Sequence, residues 1–510
     1  ATTPAGAAPP TTSSAAAAVN KDSAKEKARQ KADDEAKFNA LLARLGKLRP
    51  DPALRLPPLQ RRKLSNGLEV LIVEHHELPV VDLSLVVKSG AASDPAERPG
   101  LASLTADLLD EGTKTRSALD ISNQLADIGA QLSVNSDWDS TNASLTTLTR
   151  HLDRALEIYT DVLLNPGFPE ADLKRLRDSR LTALRQQRDN AQAIASRVYS
   201  SVLYGGKHPY GRPLTGDERS VGVMSGADVR QFYETHYLPN NAALVVVGDV
   251  TPAQIVAKLE KAFGAWKRGP APQVDLAADV PARERAAVYL VDRPGSAQSV
   301  INIGHVGVAR STPDYFPLLV MNTILGGQFT SRLNLNLRED KGYTYGARSG
   351  YSFRRGAGPF SASAGVQTAV TKESVAEFFK ELRGIRGDVP VTERELELAK
   401  QAIVRGFPRS FETPGQIGNR LTDLVLYGLP DDYFNSYAAR VRAVSLADVQ
   451  RVAQKYLDPS RAAVLVVGDR KEVERGLRSL DLGDVILLDA EGRPAGGESS
   501  GDGGGTTGRR

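Results

Sequence analysis

From Leu64 onward the chain alternates between two hydrophobic periods. Leu64 to Val73 reads as two short strands around Asn66–Gly67, a dipeptide that favours a hairpin turn, and Val80–Val87 reads as another strand. The spacing then shifts to three and four residues and predicts helices over 99–110 and 117–128. Residues 129–148 alternate as strands, helices are predicted over 149–163 and 169–200, and 243–248 is a wholly apolar strand of the kind buried on both faces.

A long internal repeat organises these elements. SerGlyAlaAspVal at 225–229 leads to a Tyr-Leu, a turn and an apolar strand ending in Gly-Asp at 248–249; SerLeuAlaAspVal at 445–449 leads to the same series, ending at 468–469. Both ends are displaced by 220 residues (225 to 445, 249 to 469). Residues 168–174 and 391–397 echo each other more weakly. So long a period means a duplicated domain rather than a solenoid. Each copy mixes helices with hairpin-paired strands, so the expected class is α+β. Two homologous domains are expected, each a mainly antiparallel sheet with helices packed on one face. Their bounds are 59–267 and 286–485, joined by a Pro-containing linker at 268–285.

The flanks differ. Residues 1–58 read as a disordered Ala/Thr/Pro lead followed by a charged helix at 20–47 and prolines at 50, 52, 57 and 58; 486–510 reads as a disordered Gly-rich tail. The Ala/Pro/Thr lead fits a processed, exported protein, so a periplasmic location is expected and a cytoplasmic one stays open. Charge is nearly balanced, at 65 basic and 61 acidic residues, which gives no case for nucleic acid. No run approaches the ~18 apolar residues of a membrane span. With 0 cysteines, thiolate catalysis and Cys-ligated zinc are excluded.

The stretch with the most chemistry is Gly326 to Gly346. Gly326 and Gly327 read as a flexible entry. Thr330 or Ser331 is the expected N-cap of a short helix, Leu333 and Leu337 share one of its faces, and Lys341 and Gly342 end it. A strand follows. Arg338 and Tyr345 then flank a tight helix-to-strand turn. Tyr343 is read as facing away, which leaves Tyr345 as the phenol of interest.

Four groups of motifs, in order, make the chain resemble the pitrilysin or inverzincin zinc peptidases, within their processing-peptidase-like group. They are LeuSerAsnGlyLeuGluVal (64–70) with ValLysSerGly (87–90); GlyLeuAla (100–102) with LeuLeuAspGluGlyThr (108–113); LysHisProTyrGlyArgPro (207–213) with TyrLeuProAsnAsn (237–241); and LeuGlyGlyGlnPheThrSerArgLeu (325–333) running into ArgGluAspLysGlyTyrThrTyr (338–345). Active members of that family carry H-x-x-E-H, in which two histidines one helical turn apart bind zinc and the Glu serves as general base. Here the matching positions are Ser103, Ala106 and Asp107, and no acid lies between Asp178 and Asp189, where the distant ligand is expected. Ser103 is a poor ligand, Ala106 moves no proton, and Asp107 alone holds no zinc. The window is degenerate, and no metal site and no cofactor are expected in this chain.

The resemblance implies roles for Arg338 and Tyr345, which stand seven positions apart as in the family. Arg338 would hold a substrate carbonyl, and the Tyr345 hydroxyl would donate to the scissile carbonyl oxygen as charge develops on it. The chain is thus expected to be the non-catalytic subunit of a heterodimeric zinc peptidase. Its partner, a homologous subunit bearing H-x-x-E-H, would bring the zinc, and the substrate would be a peptide or unfolded polypeptide. The alternatives are a scaffold with no role in proteolysis and, less favoured, an autonomous peptidase with an unusual metal site. The six histidines do not supply one: His75 and His76 read as a solvated strand end, His208 as a structural loop residue, and His236 and His305 as packing residues.

Overall fold

The structure is a computed structural model that describes residues 56–277, 280–281 and 283–495. The charged segment 20–47, expected to be helical, and most of the lead lie outside the described residues, as does the tail beyond 495.

Two six-stranded sheets form the frame. The first contains β1 (Gln60–Lys63), β2 (Glu69–Glu74), β3 (Val80–Val87), β4 (Gln131–Ser136), β5 (Thr141–Leu148) and β6 (Ala242–Gly248), in the order β1-β2-β6-β3-β5-β4. The second contains β7 (Ala287–Asp292), β8 (Gln298–Val306), β9 (Thr344–Tyr351), β10 (Pro359–Gln367), β11 (Ala463–Gly468) and β12 (Val485–Leu488), in the order β12-β7-β11-β8-β10-β9. β2–β6, β7–β11 and β7–β12 are parallel and the other pairs antiparallel. The α+β class is as the repeat predicts. β12 lies across the expected start of the disordered tail, because Val485, Ile486, Leu487 and Leu488 complete the edge beside β7.

The principal helices are α1 (Leu101–Asp107), α2 (Ala118–Asp127), α3 (Leu152–Leu164), α4 (Glu170–Gln187), α5 (Ala191–Tyr204), α6 (Gly226–His236) and α7 (Pro252–Phe263) in the first copy. The second copy has α8 (Tyr315–Leu325), α9 (Thr371–Arg383), α10 (Glu393–Gly406), α11 (Pro414–Tyr427), α12 (Leu446–Tyr456) and α13 (Arg470–Arg478). Ser225 and Ser445 cap α6 and α12 with matching capping boxes, the physical basis of the repeat seen in sequence.

The helix expected over 169–200 is two helices. The chain breaks after Gln187, and Asn190 caps α5 by accepting from the Ala193 N–H at 3.0 Å. The break carries α5 away from its own sheet. Ile194, Val198 and Leu203 of α5 are buried against Val291, Val300, Leu465 and Val467 of the second sheet. Tyr199 donates to the Phe360 carbonyl at 3.1 Å, and a Cβ on Gly304 would stand 2.4 Å from the Tyr199 oxygen, so only glycine allows the approach. In return α11 crosses to β3 and β6 of the first sheet, with Gly415 and Gly418 against the Asp82 carboxylate. Each copy therefore gives the other a helix, and helices pack on both faces of each sheet rather than on one.

The hairpin tips of the two copies also meet. Asp139, in the β4–β5 turn, accepts from Tyr210 Oη at 2.6 Å and from the Arg355 backbone N–H at 2.7 Å. The Arg354 guanidinium lies 4.4 Å from the Trp138 ring centroid and 4.7 Å from that of Tyr210.

Candidate functional site

α1 is short and buried. Gly100, at φ +92°, turns the chain into it, and a Cβ there would stand 2.5 Å from the Gly216 nitrogen. Asp94 accepts from the N–H groups of Gly100 and Ala102, both at 2.7 Å. Burial pushes its carboxyl up to about 7, against the opposing pull of those donors and of Arg212.

Ser103 and Asp107 lie one turn apart on α1 and face Arg180 of α4. The Arg180 guanidinium donates to Ser103 Oγ at 3.1 Å, to the Gly100 carbonyl at 3.2 Å, and to Asp107 Oδ2. The Arg180 side chain is 10% exposed. A fixed positive charge thus occupies the space between the two helices that the zinc motif would use. Ala106, fully buried, offers no base. These residues do not fit a zinc ion: two of the three motif positions are engaged by a cation, and the third has no polar atom. Among the described residues no group of three or more His, Asp or Glu is arranged to hold a metal. Arg180 was not singled out from sequence; the signal was an arginine on the very helix where the family resemblance asks for an acid.

The Gly326–Gly346 stretch is more irregular than its pattern suggests. A single helical turn, Arg332–Asn334, runs directly into a π-helical segment, Leu335–Asp340, that carries Arg338. Ser331 takes the N-cap position, but its hydroxyl makes no capping bond and is buried without a partner. Asn334 instead ties the turn together, donating to the Phe329 carbonyl at 2.8 Å and accepting from the Ala347 N–H at 3.2 Å. Gly326 and Gly327 are not a flexible entry. Gly326 accepts from the Ser349 N–H at 3.0 Å, and a Cβ on it would lie 2.3 Å from that nitrogen, so this is a site of close packing. Gly342, at φ +65°, ends the segment as expected, and Lys341 pairs with Glu377 at 3.4 Å.

Arg338 pairs with Glu339 at 3.3 Å and lies 4.7 Å from the ring centroid of Phe329, which is 58% exposed. Tyr345 opens β9. Thr344 pairs with Val366 and Ala347 with Ala364, so two residues of β9, Tyr345 and Gly346, oppose the single Gly365 of β10. This is a β-bulge, and it re-aims the side chain it carries. In regular alternation Tyr345 would share the face of Ala347, which packs inward; the bulge turns it to the other face, where it is 88% exposed. Thr344 locks the bulge: its hydroxyl donates to the Gly365 carbonyl at 2.7 Å and accepts from the Gly346 N–H at 3.1 Å. Tyr343 precedes the strand, its N–H bound to the Leu337 carbonyl at 2.9 Å. Strand alternation therefore does not separate the two tyrosines, since residues two apart share a face. The bulge follows Thr344 and separates Tyr345 from Ala347 rather than from Tyr343. Tyr345 differs in its exposure, 88% against a half-buried Tyr343.

Arg338 and Tyr345 are thus held on adjoining irregularities, though no hydrogen bond joins them. The tyrosine hydroxyl has no hydrogen-bond partner among the described residues. The histidines lie elsewhere. His76 contacts Asp249 at 2.8 Å at the exposed end of β2, and His208 accepts from the Tyr210 N–H at 3.0 Å. His236 is buried against Ser89 Oγ at 3.0 Å, and His305 stacks on Phe360.

Residues 69–218 match the profile of insulinase (peptidase family M16), and residues 224–403 match that of the peptidase M16 inactive domain. An uncharacterized zinc protease YmxG of Bacillus subtilis is 23% identical over 80% of this chain and 98% of its own length. A protein of Helicobacter pylori named a non-peptidase homolog is 22% identical over 79% of this chain and 92% of its own. The crystal structure of a peptidase M16 inactive domain from Pseudomonas fluorescens superposes with a TM-score of 0.75 at 26% identity, covering 81% of this chain and 98% of that one. A chain of complex III2 from Candida albicans shares the fold at 13% identity, with a TM-score of 0.68 over 83% of this chain and 100% of its own. With both halves matched, the chain belongs to the M16 peptidase family, and two of the three positions of its zinc motif are engaged by Arg180.

Proposed function

We propose that this chain is the non-catalytic half of a two-subunit zinc peptidase and contributes Arg338 and Tyr345 in trans to the site of an H-x-x-E-H-bearing homologue. The observation that carries the reading is the pairing of two opposed features. The chain's own catalytic window is closed by Arg180, while a π-helical turn and a threonine-locked bulge hold a guanidinium and an unpartnered phenol toward solvent. A phenol held on a strand irregularity and left without a partner suits a ligand from outside the chain. In the assembled pair Tyr345 Oη donates to the scissile carbonyl oxygen as negative charge grows there, and Arg338 fixes a neighbouring substrate carbonyl. Phe329, beneath the guanidinium, limits the directions Arg338 can take.

Purified alone, the chain is expected to cleave no peptide. Mixed with its H-x-x-E-H partner, captured by pull-down of the native protein, it should support cleavage. In that mixture Tyr345→Phe should lower kcat by about a hundredfold. A rate unchanged by Tyr345→Phe would favour the scaffold reading, and chelator-sensitive cleavage by the isolated chain would overturn both.

A further inference from the structure

The face of the second sheet that receives α5 is only partly covered. α5 lies over β8 and β11, and the face continues past it onto β10 and β9. There it is built from small residues: Ser361, Ser363 and Gly365 of β10, all half-buried, and Gly346 and Gly350 of β9. Among them stands one charged side chain. Arg348 pairs in register with Ser363, so it shares that residue's face, and it is exposed. It makes no ion pair or hydrogen bond with another described side chain. This contrasts with Arg338, paired with Glu339, and with Arg332, held by Glu395 at 2.6 Å. The same bulge that turns Tyr345 outward brings it to this face, three residues before Arg348 and opposite Gly365.

We infer that Arg348 is a specificity residue: it recognises a carboxylate on an extended peptide that crosses the small-residue floor beside Tyr345. A guanidinium is the group best suited to bidentate capture of a carboxylate. Its freedom from internal partners means that no ion pair has to be broken first. The flat Ser/Gly floor leaves room for a backbone to pass, and its hydroxyls supply hydrogen-bond partners. The carboxylate is that of an Asp or Glu side chain or of the peptide's C-terminus. This inference rests on the proposal that Tyr345 meets substrate, but it makes a binding claim that needs no partner subunit.

The test is fluorescence anisotropy on the isolated full chain, with fluorescein-labelled decapeptides of one neutral sequence. The first carries a single interior Glu and an amidated C-terminus, the second a Gln in its place and an amidated C-terminus, and the third that Gln with a free C-terminus. The wild type is expected to bind one of the two carboxylate peptides about tenfold tighter than the neutral one, a preference that weakens as salt rises. Arg348→Gln should abolish the preference while leaving neutral-peptide affinity and the melting temperature unchanged, and Arg348→Lys should restore part of it. Which peptide is preferred identifies the source of the carboxylate. Equal affinity for all three, no measurable binding of either carboxylate peptide, or a preference that survives Arg348→Gln overturns the inference. Loss of the preference in Arg348→Gln, together with normal catalysis by Tyr345→Phe in the reconstituted pair, overturns only the catalytic proposal.

Discussion

Arg180 donates to Asp107 across the two helices that, by family resemblance, would otherwise share a metal ion. The guanidinium supplies positive charge between α1 and α4, and it needs neither a histidine nor a metal supply. Its side chain is 10% exposed and that of Asp107 44%, so the pair is screened on the acid's side only.

Removing the cation should therefore loosen α1 from α4. Arg180→Ala is expected to destabilise the protein by about 1–3 kcal/mol, the cost of leaving its polar partners without a donor. Urea unfolding of Arg180→Ala, Asp107→Ala and the double variant gives the coupling, and a value near zero would mean that the pair holds nothing. Chelator should leave the unfolding curve of the wild type in place.

His236 gives a pH dependence of defined sign. Burial pulls it down to about 4, whereas an exposed histidine titrates near 6.5. Its contribution to stability is complete above the unfolded value, where both states are neutral. It is lost as pH falls from about 6.5 toward 4, because only the unfolded chain takes up the proton, and the loss reaches at most about 3 kcal/mol. Buried carboxyls such as Asp94, raised to about 7, act in the opposite sense, so the useful quantity is the difference between wild type and His236→Gln. That difference should shrink between pH 7.5 and pH 5, as read by urea unfolding at each.

Thr344 is expected to matter for the aim of Tyr345 more than for folding. Thr344→Val removes both bonds that lock the bulge, at a cost of about 1–2 kcal/mol. In a reconstituted pair, kcat should fall toward that of Tyr345→Phe while the fold is kept, as measured by circular dichroism and steady-state kinetics. An unaltered kcat would show that the bulge does not set the phenol's position.

The exchanged helices predict that the two copies hold together without their linker. A protease site placed at 270–273 and cut after folding should leave fragments that co-elute on size exclusion. Leu203→Ala, which opens a cavity in the second sheet's core from a residue of the first copy, should cost about 2–5 kcal/mol and lower the single melting transition of the whole chain.

The duplication, the α+β class and the empty zinc window were legible in the sequence, because each is written in local pattern: capping serines 220 residues apart (225 and 445), apolar strands, and the residues at 103–107. The helix exchange was not. Residues 169–200 carry continuous helical character, and the break at Asn190 matters only because a second sheet lies within reach. The π-helical turn and the bulge were equally hidden. Both depend on bonds between distant positions, Asn334 to Ala347 and Thr344 to Gly365, so no short window records them. Arg180 was visible as a residue but not as a replacement, since its meaning depends on Ser103 and Asp107 lying across from it.

A single copy that lent α5 to a neighbour and took the equivalent helix in return would be a domain-swapped dimer. This chain is that dimer with its two ends joined. Joining makes the exchange intramolecular, so assembly no longer depends on protein concentration, and the two halves are free to diverge without losing each other. One half can then hold Arg180 where the family resemblance expects metal ligands, while the other holds the turn and the bulge that carry Arg338 and Tyr345.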